Sequence, residues 1–173
     1  MKRITSLLLV ALLIAGVAVT PAVAASESAE PPTEVFLAPE QIDENTFCYR
    51  DENGDIFAYW ENLTEKEYPL TRAQNGEQIY WTLAADEYEH GDYYFSTVDG
   101  VSVMVDIDSS NRQANAYLGT YNGRANKYSW LNTPSTTGFH TKLTFTGSVS
   151  LTIAIKNSGP RPSTFDGYYA TME

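Results

Sequence analysis

The feature that most limits how this chain can fold is a strict alternation of apolar and polar side chains. Leu143 and Phe145, then Val149, Leu151, Ile153 and Ile155, fall on every second position, with Thr, Ser and Ala at most of the positions between them. A period of two puts all of these on one face of an extended strand, whereas a helix would scatter them around its axis. Val101, Val103, Val105 and Ile107 repeat the pattern. Such segments need a sheet, with one face turned to a core. Gly147 interrupts the first series and marks either a bulge or the turn of a hairpin.

Asn53-Gly54 lies between Phe47-Cys48-Tyr49 and Ile56-Phe57-Ala58-Tyr59-Trp60, and Asp99-Gly100 lies between Tyr93-Tyr94-Phe95 and the valine series. Both dipeptides favour the left-handed backbone of a tight turn, so residues 47–60 and 93–107 each read as a hairpin. Residues 78–83, 116–121, 127–131 and 165–171 supply further strands. Only residues 84–90 admit a helical turn. The expected fold is therefore all-β, an antiparallel β-sandwich or jelly-roll-like body of about eight or nine strands, with a small barrel as the alternative. Residues 100–110 also align with residues 148–158 at an offset of 48, as any two alternating strands do.

The first 24 residues read as an export signal. Lys2 and Arg3 precede an apolar run from Ser6 to Val19, and Ala22-Val23-Ala24 has the small-x-small form of a cleavage site. Thr20-Pro21 interrupts the run before it reaches the roughly 20 residues of a membrane span. Residues 25–34, acidic and proline-bearing, read as a flexible leader, and residues 35–173 as a single domain. The expected product is secreted, with no membrane span after signal removal.

Charge narrows the partners. The net charge is −11, which excludes nucleic acid as a partner because a phosphate backbone demands a basic face. Residues 25–108 carry 20 acids and three bases, while residues 109–173 carry two acids and six bases. The halves attract each other, and the surplus negative charge suits a basic protein partner. Cys48 is the one cysteine, so no internal disulfide can form, and its apolar flanks favour burial over an intermolecular disulfide or a catalytic thiol.

Catalytic motifs are missing. There is no Gly-x-Ser-x-Gly, no phosphate-binding Gly-Lys-Ser/Thr loop, no His-Glu-x-x-His and no Cys-x-x-Cys, and His90 and His140 are the only imidazoles. Asp86, Glu87, Glu89 and Asp92, with His90 among them, offer oxygen ligands suited to calcium, but an acidic solvated turn between two strands is the preferred reading. No cofactor is required.

Aromatic pairs carry the functional reading. Tyr59-Trp60, Tyr80-Trp81, Tyr93-Tyr94 and Tyr168-Tyr169 are adjacent, so in strands each places one ring inward and one outward. Outward Tyr59 and Tyr80, with Tyr121, Tyr128 and Trp130 in a stretch rich in Asn and Gly, would form a platform of exposed rings. The expected function is a secreted, non-catalytic module binding carbohydrate or a cell-surface polymer. The alternative is an extracellular structural or protein-interaction domain, envelope-associated or inhibitor-like, using its acidic face.

Overall fold

A computed structural model describes residues 30–63, 75–98, 100–112 and 115–172. The chain divides into Met1–Glu30 and Pro31–Glu173, and the second unit is described below. The export signal and most of the leader lie outside the described residues.

Thirteen strands and no helix occur among the described residues. They are β1 (Thr33–Leu37), β2 (Pro39–Gln41), β3 (Thr46–Arg50), β4 (Ile56–Asn62), β5 (Gly76–Leu83), β6 (Tyr88–His90) and β7 (Phe95–Ser96). Then follow β8 (Ser102–Ser109), β9 (Ala116–Asn122), β10 (Lys127–Ser135), β11 (Gly138–Phe145), β12 (Ser150–Asn157) and β13 (Ser163–Met172). One sheet runs β1-β10-β9-β12-β6 with β7 also on β12, and the other runs β2-β3-β4-β11-β8-β13-β5. All pairings are antiparallel except that of β1 with β10. The first strand begins at Thr33, two residues before the expected domain start.

The alternating segments form the core as their period requires. Val103, Val105, Ile107, Leu143 and Phe145 from the seven-stranded sheet share one buried cluster with Leu118, Leu131, Leu151, Ile153 and Ile155 from the six-stranded sheet. The two sheets thus bury their inner faces against each other in a sandwich-like arrangement. A polar link ties the two sheets together. Tyr169 of β13 donates its hydroxyl to Glu77 Oε2 at 2.6 Å, and Thr152 Oγ1 of β12 lies 2.8 Å from the same phenol oxygen. The phenol has one proton, and the carboxylate takes it, so Thr152 is the donor in the second bond. Glu77 Oε2 also accepts the backbone N–H groups of Asp92 and Tyr93, at 2.7 and 2.8 Å. Burial and the adjacent Glu77 push the Tyr169 phenol far above its ordinary pKa.

Of the two expected hairpins, one forms. β3 and β4 pair through the turn at Asn53-Gly54, with Gly54 at φ 85° and a register shift between Tyr49 and Arg50. The turn is longer than two residues: the Asp51 N–H reaches the Asp55 carbonyl at 2.9 Å, and Asp51 Oδ1 accepts the N–H groups of Asn53 and Asp55. The second expected hairpin is not present. β7 pairs with β12 in one sheet, whereas β8 pairs with β11 and β13 in the other, so the two strands belong to different sheets. Gly147 is likewise neither bulge nor hairpin turn, because β11 and β12 belong to different sheets. In both places sheet membership is a tertiary choice that local turn chemistry does not record.

Candidate functional site

The outer face of the six-stranded sheet is aromatic where a solvent-facing sheet is ordinarily polar. Its register places the residues in cross-strand rows. Phe36, Trp130, Gly119, Ala154 and His90 stand opposite one another across β1, β10, β9, β12 and β6. On one side of that row lie Glu34, Tyr128, Tyr121 and Thr152, and on the other Tyr117, Lys156 and Tyr88.

Small residues explain how large rings fit here. The Trp130 indole lies across Gly119, where an added Cβ would come within 2.5 Å of Trp130 Cε3. Tyr128, two residues earlier on the same face, stacks on Trp130 with centroids 5.2 Å apart and planes at 7°. Tyr88 leans on both, at 4.8 and 6.0 Å. Tyr121 packs on Tyr128 at 4.6 Å and stacks on the His90 imidazole at 4.2 Å and 11°. Phe36 meets Tyr117 edge to face at 5.4 Å. These are the geometries that ring quadrupoles favour.

Two charges fix the lower layer. Glu34 Oε2 accepts the Trp130 indole N–H at 2.7 Å and the Lys156 ammonium at 2.5 Å. The ammonium also lies 5.4 to 5.9 Å from the Phe36, Tyr88 and Trp130 ring centres, within cation–π range. Burial, then the neighbouring tyrosines, push the Tyr128 phenol far above its ordinary range.

The expected platform is thereby corrected in two respects. Trp130 is not exposed but wholly buried, and Tyr128 is nearly so at 5%, because overlying rings cover both. They form a base, and the rings that reach solvent are half-buried Tyr88, Tyr117 and Tyr121, with Phe36 (49% exposed) and Tyr94 (41%) at the rim. The expected residues also divide between two faces. Tyr59 and Tyr80 lie on the outer face of the seven-stranded sheet, Tyr59 opposite Cys48 and Thr144, and Tyr80, 72% exposed, opposite Asp166. Beside Tyr80 is a depression of about 370 Å³ over Gly76, Gly167 and Ala170, with Gln78 and Tyr168 also lining it. His140, on the same face, holds Asp106 at 2.7 Å and approaches Asp108 at 3.5 Å.

The acidic segment forms a turn followed by β6. Asp86 takes φ 62° and its N–H meets the Asn157 carbonyl, while Glu87 Oε2 accepts the Ala84 N–H at 2.6 Å. Glu89 Oε1 accepts the His90 N–H, and the Asp92 side chain is exposed. Among the described residues, no three His, Cys, Asp or Glu side chains are grouped so as to hold a metal ion. Cys48 is buried, with its thiol 3.6 Å from Glu40 Oε2; burial first, and then Glu40, raise its pKa.

Sequence reasoning missed Phe36, Tyr88 and Tyr117 as parts of the aromatic face. Phe36 and Tyr88 occupy strands too short to show a period, and Tyr117 is legible only once β9 is set beside β10 and β12. No protein-family model, curated protein or solved structure matches this chain.

Proposed function

We propose that this chain is an exported, non-catalytic binding module of jelly-roll-like sandwich architecture, whose ligand is carbohydrate or a cell-surface polymer. One observation carries the reading: an outer sheet face tiled with rings, in which Trp130 and Tyr128 form a buried base and hold Tyr88, Tyr117 and Tyr121 half-exposed above it. A rigid, flat, aromatic surface suits the apolar face of a pyranose ring, and phenol hydroxyls at its margin suit the sugar hydroxyls. Because the base is anchored through Glu34, the upper rings lose little freedom when a ligand stacks on them.

Affinity electrophoresis through gels containing soluble polysaccharides tests the reading. Retardation by one glycan, abolished in Tyr117→Ala/Tyr121→Ala and retained in Tyr80→Ala, is the expected result. Retardation lost in Tyr80→Ala alone would move the site to the opposite face, and no retardation by any glycan would overturn the ligand class. The second reading, a basic protein partner, is favoured by the acidic outer face that carries Asp106, Asp108 and Asp166. Binding there would weaken steeply with salt, whereas stacking would hardly change.

A further inference from the structure

At one end of the body the two sheets leave a cleft of about 320 Å³, lined from one side by β1, β10 and the start of β12 and from the other by the β3–β4 turn and the start of β4. Leu37 and Leu151 are buried in its lining, Phe57 is half-buried, and Val149 is 40% exposed, so an apolar wall reaches solvent. The volume is at the lower end for small-molecule sites.

The mouth has a definite sign. Asp51, Glu52 and Asp55 approach from the β3–β4 turn, and Lys127 is the only cation among the described lining residues. Lys127 meets Glu52 at 3.1 Å, an ion pair that spans the cleft from one sheet to the other and neutralises one of the three carboxylates. The Asp51 and Asp55 carboxylates form no ion pair among the described residues and leave the rim negative. Asp51 is held in place, because its Oδ1 accepts the N–H groups of Asn53 and Asp55, at 2.9 and 3.0 Å. Asp55 is exposed at the mouth.

We propose that this cleft binds a small amphipathic amine, with its apolar body against Phe57, Val149 and Leu151 and its ammonium at the Asp51 and Asp55 carboxylates. The apolar wall supplies a driving force that bare surface acids lack, and the rim decides the charge of the guest: a carboxylate of the same shape would be repelled. This site shares no residue with the aromatic face, so it stands or falls independently of the proposed function.

The test is a pair of titrations of the protein followed by amide NMR, one with phenethylamine and one with 3-phenylpropionate, the same apolar body with the charge reversed. Phenethylamine is expected to shift resonances of residues 51–57 and 146–151, and 3-phenylpropionate to leave them in place at equal concentration. Asp55→Asn, at an exposed position that the fold tolerates, should weaken the amine by about five-fold, and Lys127→Gln, which frees Glu52, should strengthen it. Equal binding of both probes, or amine binding indifferent to Asp55 and Lys127, would overturn the assignment of ligand class. No shift at these residues with either probe would overturn the site itself.

Discussion

Glu77→Ala should be among the most destabilising single changes at a residue that is not itself buried in the core. Its carboxylate oxygen takes three donors, the backbone N–H groups of Asp92 and Tyr93 and the Tyr169 phenol, and so ties the edge strand β5 to the β6–β7 connection and to the Tyr169–Thr152 link between the sheets. A hydrogen bond to a charged acceptor contributes about 1.5–3 kcal/mol, but the three bonds differ in what replaces them. Water can reach the Asp92 N–H, on an exposed residue, so its loss costs little. The Tyr93 N–H, on a half-buried residue, stays partly unsatisfied at about 2 kcal/mol. The Tyr169 hydroxyl keeps Thr152 and can turn to the Tyr93 carbonyl 3.0 Å away, which limits its loss to about 1 kcal/mol. The total is about 3 kcal/mol, or a fall in Tm of roughly 6–12 °C for a domain of this size. Glu77→Gln retains an acceptor and should lose about half as much. Urea unfolding followed by circular dichroism measures it, with the midpoint moving and the slope m unchanged. A Glu77→Ala protein within about 0.5 kcal/mol of the parent would refute the argument, since that is the ordinary range of a surface substitution.

Other expectations follow from the same packing. Thr120 is buried with no partner for its hydroxyl among the described residues, so Thr120→Val, which keeps the shape, should stabilise by about 1 kcal/mol in urea unfolding. Glu34→Ala leaves the Lys156 ammonium, with only 15% of its side chain exposed, and the Trp130 N–H without their acceptor; it should cost about 3 kcal/mol by the same assay, and Glu34→Gln with Lys156→Met should recover most of that. Alkali should unfold the protein through its buried phenols. Burial holds Tyr49 at about 12 against an ordinary 10, so the unfolded chain loses this proton first: stability is intact below pH about 10 and falls as pH rises through about 12, by about 3 kcal/mol for Tyr49 alone. Tyrosinate absorbance and circular dichroism should then change together for the buried group, and titration of all 12 tyrosines near pH 10 with the fold intact would contradict this.

The strands that alternate over several residues were legible in the sequence, and so was the side each residue takes. Three of the four adjacent aromatic pairs lie in strands and do place one ring inward and one outward: Trp60, Trp81 and Tyr169 join or pack against the core while Tyr59, Tyr80 and Tyr168 face away from it. Tyr93-Tyr94 divides in the same way, with Tyr93 packed against the core and Tyr94 41% exposed, although it lies in a connection rather than a strand. What could not be read is which sheet each strand joins. The sequence after β7 and after β11 looks like a hairpin turn, yet the following strand joins the other sheet, because a turn dipeptide fixes only local backbone angles, whereas sheet membership depends on contacts with distant parts of the chain. The aromatic face was half legible for the same reason. Tyr121, Tyr128 and Trp130 come from one hairpin, but the burial of Trp130 depends on Gly119 beneath it and on Tyr88 from β6.

The claim that matters most is that the ringed outer face of the six-stranded sheet is a ligand platform. An amide and aromatic NMR titration of the protein with an oligosaccharide of whichever glycan retards it in gels tests this most directly. The account predicts shifts in the ring resonances of Tyr88, Tyr117 and Tyr121 and in the amides of β9 and β10, with Tyr59 and Tyr80 unmoved. Shifts confined to Tyr80, Tyr168 and the strands around them would contradict it.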